Sequence, residues 1–151
     1  MRFYEDLAVG ETETLGSDRV SKAEILEFAS QYDPQPFHLD EEAAEDSIFG
    51  ELVASGWHTG AICMRLVVEN QEPIATLAGV GIDDLRWHAP VTPGDVIHVH
   101  AEVVDKRTSD RHDDRGYVTR RVEGFDQDGD RLISYEATAL IERREHEPAD
   151  E

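Results

Sequence analysis

The constraint that most limits the fold is a change of hydrophobic period near residue 74. Upstream, apolar residues recur at helical spacing; downstream, they alternate with polar ones. Ile25, Phe28, Ala29 and Tyr32 mark one helical face behind the capping box Ser21-Lys-Ala-Glu24. That helix must stop near Tyr32, because Pro34 disfavours helical backbone at Asp33. Asp40 can cap a short acidic helix that runs to Glu45. Residues 57–68 carry Trp57, Ile62, Cys63, Met64, Leu66 and Val67, with apolar side chains on nearly every side. Such a segment predicts a buried helix, and Gly60 and Ala61 are small enough to let a sheet approach it.

Beyond Pro73 the period is two. Leu85, Trp87 and Ala89 alternate with Arg86 and His88, and Ile97, Val99, Ala101 and Val103 with His98, His100 and Glu102. Residues 117–125 give another strand, and Ile133, Tyr135, Ala137, Ala139 and Ile141 a half-buried last one. The run from Pro90 to Asp95, the polar residues 108–115 and Asp128-Gly129 are the turns between them. A shorter strand is expected at residues 11–15, between Gly10 and Gly16. Helices first and four long antiparallel strands afterwards read as α+β, with a sheet wrapped around the buried helix. The 151 residues are read as one domain, and residues 144–151 as a frayed acidic tail.

Charge limits the partners. The chain has 34 Asp and Glu against 14 Lys and Arg, for a formal net charge of −20. A small domain ordinarily carries a charge of magnitude roughly 2–8. The acids are spread along the chain, which favours adaptation to concentrated salt over a dedicated acidic docking surface. No basic stripe exists to meet phosphates, so nucleic acid is excluded as a partner. No apolar run is long enough to span a membrane, and Met1-Arg-Phe-Tyr-Glu-Asp6 does not resemble a signal peptide. The expectation is a soluble, cytoplasmic protein. The single cysteine, Cys63, leaves no intrachain disulfide and no cysteine-based metal site, and reads as a small buried hydrophobe.

The chemistry is concentrated in Gln31-Tyr-Asp-Pro-Gln-Pro-Phe-His-Leu-Asp40. Pro34 and Pro36 fix much of the backbone between Asp33 and His38, which predicts a stiff, non-helical connection. A carboxylate and an imidazole on a rigid loop make an acid/base device. The alternative is structural: Asp33 bracing the turn and His38 as a satisfied histidine.

Three motifs then occur in order. Residues 32–44, Tyr-Asp-Pro-Gln-Pro-Phe-His-Leu-Asp-Glu-Glu-Ala-Ala, resemble the hydratase motif of the MaoC-like dehydratases, the family of the R-specific enoyl-CoA hydratases. Ala54-Ser-Gly-Trp-His-Thr59 resembles that family's entry to its central helix, and Ala89-Pro-Val-Thr-Pro-Gly-Asp95 its proline-glycine-aspartate turn. The resemblance implies a hot-dog fold, a curved antiparallel sheet around one long helix, in a homodimer. It implies reversible hydration of trans-2-enoyl-CoA to (R)-3-hydroxyacyl-CoA by Asp33 and His38, with no metal and no cofactor beyond the CoA of the substrate. The family motif commonly reads Asp-x-Asn-Pro-aliphatic-His; here Gln35 replaces the Asn and Phe37 the aliphatic residue.

In that chemistry His38 serves as the general base toward water, its unperturbed pKa lying near neutrality. Asp33 positions the water, and acts as the acid if burial raises its pKa. The backbone N–H of Gly56, at the start of the apolar helix, is the candidate oxyanion donor. Phe37, Ser55, Trp57 and His58 are the candidate pocket-lining residues. Ser55 is better read as a helix cap than as a nucleophile, and His58 as a packed residue. His98 and His100 share a strand face but lack a third metal ligand, so they read as a solvated face. A hot-dog thioesterase is the first alternative, disfavoured because residues 57–68 carry no carboxylate and Glu69 follows only at the helix end. A non-catalytic acyl-CoA-binding protein is the second, disfavoured by the presence of both Asp33 and His38.

Overall fold

Prolines, caps and periodicity divide the chain where expected. The computed structural model describes residues 1–144. After a 3-10 turn at Tyr4–Asp6, strand β1 spans Thr12–Arg19. Helices follow as α1 (Lys22–Tyr32), α2 (Pro36–Leu39), α3 (Glu41–Glu45) and α4 (Gly56–Asn70). The remaining strands are β2 (Thr76–Trp87), β3 (Val96–Thr108), β4 (Arg115–Phe125) and β5 (Arg131–Glu142). The side-chain caps form: Ser21 Oγ accepts from the Glu24 N–H at 3.1 Å, and Asp40 Oδ1 from the Glu42 N–H at 2.9 Å, but the Glu24 carboxylate accepts from the Ser21 hydroxyl. Strand β1 is longer than its expected five residues, because the positive φ of Gly16 lets it bend and resume pairing with β3 beyond a bulge.

The five strands form one antiparallel sheet in the order β1-β3-β4-β5-β2. Helix α4 lies on its inner face, with Ile62, Cys63, Leu66 and Val67 packed against Ile97, Val99, Val122 and Ile133. This is the α+β, hot-dog arrangement the resemblance implies. The tight contact of the helix core with the sheet is not at Gly60 and Ala61. A Cβ on Gly124 of β4 would lie 3.1 Å from Cys63 Sγ and 2.9 Å from Ile133 Cγ2, so a glycine is needed there. The Cβ of a residue replacing Gly60 would meet Ile133 at an ordinary 3.8 Å, and Ala61 is exposed. Burial pushes the Cys63 thiol up to about 12, which makes it the inert core residue expected.

Two expectations need correction. Helix α4 is buried on one face only. Trp57, Met64 and Val68 are exposed, and so are Leu77, Val80 and Ile82 along the edge strand β2. Five strands cover one side of the helix and leave an apolar stripe on the other. The frayed tail was expected from residue 144, but Arg144 pairs with Asp6 at 2.5 Å and its N–H donates to Glu5 at 2.9 Å. Residues 145–151 lie outside the described part of the chain. No helix among the described residues is long and apolar enough to cross a membrane.

His58 packs rather than facing the cleft. Its ring stacks on Phe28 of α1, with centroids 4.7 Å apart and planes 6° from parallel. Nδ1 is buried without a hydrogen-bond partner among the described residues. Burial holds its pKa below the ordinary histidine value, against the opposing pull of Glu24; Arg65 also lowers it and Asp18 raises it. The unfolded chain therefore takes up this proton at higher pH than the folded one. The contribution to stability is complete above about pH 6.5 and is lost as pH falls toward the depressed folded value. Urea unfolding midpoints should decline between pH 7 and pH 5, and His58→Phe, which keeps a ring on Phe28 but cannot titrate, should flatten that decline. An unchanged slope would assign the acid sensitivity to other groups.

Candidate active site

Asp33 is delivered by the end of one helix and His38 by the start of the next. Asp33 is the C-cap of α1, its N–H donating to the Ala29 carbonyl at 3.0 Å. Pro34 forbids continuation, and Pro36 occupies the first turn of α2, where a missing N–H costs nothing. The connection is thus stiff, as the prolines require, but not wholly non-helical: His38 sits inside the one-turn helix that Pro36 initiates.

Both side chains are locked. His38 Nδ1 lies 2.7 Å from the Val53 carbonyl oxygen, and the Val53 N–H donates back to the Phe37 carbonyl at 3.3 Å. A neutral His38 in that contact carries its proton on Nδ1 and presents a lone pair at Nε2. Nε2 points at Asp33 Oδ2, 3.3 Å away. Asp33 Oδ2 also accepts from Ser55 Oγ at 2.7 Å, and Oδ1 accepts from Gln35 Nε2 at 2.7 Å. Partial burial raises the Asp33 pKa, but the Gln35 and Ser55 hydrogen bonds and the nearby His38 outweigh it, so the net direction is down. Asp33 is therefore a carboxylate, and the condition for its use as an acid, a raised pKa, is not met.

The pair opens on a cleft of about 490 Å³ walled by Phe37, Phe49, Trp57, Thr59, Trp87 and His88, among others. Gly56 lines the same cleft. It is the first residue of α4, and its N–H finds no acceptor among the described residues. The preceding Ser55 caps the helix, accepting from the Trp57 N–H at 3.3 Å while donating to Asp33. One hydroxyl thus ties the start of α4 to the carboxylate at the end of α1.

Of the residues expected at the site, Asp33, Phe37, His38, Gly56 and Trp57 line one cleft, and Ser55 is bonded to Asp33 from beneath it. His58 faces α1 instead. His98 and His100 lie exposed on β3, away from this cleft. Sequence reasoning missed Trp87, Phe49 and His88 as walls, because they come from distant segments with no spacing signal. It also missed that Gln35 donates to Asp33. The Asx-like spacing of Asp33 and Gln35, two residues apart, is the one cue that pointed there.

Comparison with known proteins agrees with this fold. The sequence profile of the MaoC like domain matches residues 8–137. The crystal structure of a MaoC-like dehydratase from Rhodospirillum rubrum is 44% identical, with a TM-score of 0.88 over 95% of this chain and 98% of that one. An unliganded R-hydratase from Pseudomonas aeruginosa is 27% identical, with a TM-score of 0.72 over 99% of this chain and 92% of that one. A 3-hydroxybutyryl-CoA dehydratase of Methylorubrum extorquens is 34% identical over 105 residues, 68% of this chain and 64% of that protein. With the profile covering most of its length, the chain belongs to the family of MaoC-like dehydratases.

Proposed function

We propose that the protein reversibly hydrates trans-2-enoyl-CoA to (R)-3-hydroxyacyl-CoA. The observation that carries this reading is the fixed pair itself: a lone pair on His38 Nε2 and an ionised Asp33 oxygen 3.3 Å apart at the wall of one cleft. A water held beside both donates one hydrogen to each. As its oxygen bonds to C3, its proton passes to His38 Nε2, and the C2–C3 π electrons move onto the thioester oxygen. The Gly56 N–H, at the positive end of the 15-residue helix α4, stabilises that oxyanion. The enolate then collapses, and His38 returns the proton to C2. Asp33 stays ionised throughout, holding the water and balancing the transient imidazolium. One imidazole takes up one proton from water and delivers it to C2 on the same face, so hydroxyl and hydrogen add to the same face of the double bond.

The relatives support the reaction class: one is an R-hydratase and one a 3-hydroxybutyryl-CoA dehydratase. Asp33→Asn and His38→Gln should each lower kcat for crotonyl-CoA hydration by roughly a hundred- to ten-thousand-fold while leaving the circular dichroism spectrum unchanged. Near wild-type turnover in either folded variant would remove the pair from the chemistry.

The working form in this reading is a homodimer. Strand β2 is a sheet edge; its exposed Ile82 adjoins Met64, beside the exposed Trp57 and Val68 of α4, and Leu77 and Val80 are exposed along the same strand. An apolar edge strand beside an apolar helix stripe is self-complementary about a two-fold axis, which fits a second copy better than any acidic or basic partner. Light scattering should give twice the chain mass for the wild type and the chain mass for Val80→Asp with Ile82→Asp; a monomeric wild type would overturn this assignment.

The acidic surface is read as adaptation to concentrated salt. At about 1 M salt the screening length falls to about 3 Å, which removes both the self-repulsion of a −20 chain and its repulsion of CoA phosphates. Thermal midpoint and kcat/KM should both rise between 0.1 M and 2 M KCl. Full activity and stability in dilute buffer would contradict it.

A further inference from the structure

We infer that the Thr59 hydroxyl donates a second hydrogen bond to the thioester oxygen, beside the Gly56 N–H. This inference rests on the hydratase reading and adds a side chain to the catalytic machinery of that site.

Among the described residues four polar ones are buried: His38, Ser55, His58 and Thr59. The first three have contacts that account for them. His38 is held by the Val53 carbonyl, Ser55 spans Asp33 and the Trp57 N–H, and His58 stacks on Phe28. Thr59 is only 3% exposed, yet its hydroxyl has no hydrogen-bond partner among the described residues. Folded chains leave few buried polar groups in that condition, so the hydroxyl calls for an explanation. His58 Nδ1 is the one side-chain polar atom among those residues that is both unpartnered and sealed from solvent. The Thr59 hydroxyl is therefore not sealed, and the space that Thr59 lines is the cleft of Asp33 and His38. Its partner is whatever occupies that cleft.

Helix α4 explains why the hydroxyl is free. A threonine inside a helix ordinarily turns its hydroxyl back onto the carbonyl three or four residues earlier. Thr59 makes no such bond. The Ser55 carbonyl, four residues back, already accepts the His58 N–H at 3.0 Å and the Thr59 N–H at 3.2 Å. A carbonyl oxygen has two lone pairs, and both are taken. Helical side chains lean toward the N-terminus, and residues three apart share a face. Thr59 therefore leans over the turn that begins at Gly56, whose N–H also lacks an acceptor among the described residues. Both residues line the cleft, so an amide and a hydroxyl face one corner of it.

The polarity of the cleft tells which part of the substrate meets that corner. Asp33 and the Nε2 of a neutral His38 are acceptors, and they suit the water that adds to C3. Gly56 and Thr59 supply donors, which suit an oxygen that has no proton and gains negative charge. That oxygen is the thioester's. As an enolate it accepts more than one hydrogen bond, and the Gly56 N–H provides one.

Thr59→Val keeps the shape of the side chain and removes the hydroxyl. It should lower kcat for crotonyl-CoA hydration about a hundredfold with KM nearly unchanged, and Thr59→Ser should recover most of that loss. Thr59→Ala, which also lacks the hydroxyl, should lose as much as Thr59→Val. A spectroscopic readout separates donation from packing. Butyryl-CoA cannot be hydrated, and with an isotopic label at its thioester carbonyl the infrared band of that group reports the hydrogen bonds to its oxygen. Binding to the wild type should lower the band below its frequency in water, and Thr59→Val and Thr59→Ala should both move it part of the way back. Wild-type kcat in a folded variant lacking the hydroxyl would overturn the inference. So would a bound band identical to that of the wild type, or a Thr59→Ser variant no better than Thr59→Val. If no form of the protein hydrates any enoyl-CoA, the hydratase reading fails, and the butyryl-CoA band decides the role of Thr59 separately. A wild type that does not bind butyryl-CoA would remove both.

Discussion

The carboxylate of Asp33 is the point at which the structure is tied together. It is an anion drawn partly out of water, and it is tolerable there only because donors surround it. Gln35 donates to one oxygen and Ser55 to the other, and His38 faces the second. Those groups belong to the end of α1, the start of α2 and the cap of α4. Each bond therefore fixes one helix relative to another as well as the charge state of the acid. Removing one donor would loosen a helix junction and raise the Asp33 pKa together, so stability and proton affinity at this site are coupled through the same oxygens.

Much of this was legible because the signals are local. The Ser21 cap, the helix stop before Pro34 and the alternation of β3 and β5 depend on neighbours in sequence, and each reappears with the expected boundary to within a few residues. The pairing of Asp33 with His38 was legible for the same reason, since two prolines restrict five peptide units. What was hidden depends on segments meeting in space. The Val53 carbonyl that fixes the His38 tautomer is 15 residues away, and the Ser55 hydroxyl that reaches Asp33 is 22 away. Nor could periodicity show that α4 is covered on one side only. An all-round apolar helix reads as buried whether sheet or another protein surface covers it, and here β2 stops at the sheet edge.

That exposed stripe stands against a chain of −20 net charge. Acidic side chains repel each other and keep molecules apart at low salt, whereas apolar edges draw them together. The two pressures respond oppositely to ionic strength. Screening weakens the repulsion, and excluded salts strengthen apolar burial. Association through α4 and β2 and tolerance of the acidic surface are thus favoured by the same conditions, which gives a physical reason for the two features to coexist in one sequence.

On the proposed reading, Gly56 joins the oxyanion donor to the wall of the cleft. Its N–H is the donor proposed for the thioester oxygen, and its missing side chain is the space the Trp87 indole occupies. Any side chain at residue 56 would push the indole aside, and any shift of the bulge at Asp84 would withdraw it from the other direction. The donor and the wall are therefore one contact. The wall of the cleft can therefore vary at Trp87 without touching the Gly56 backbone, whereas a side chain at Gly56 must displace that wall.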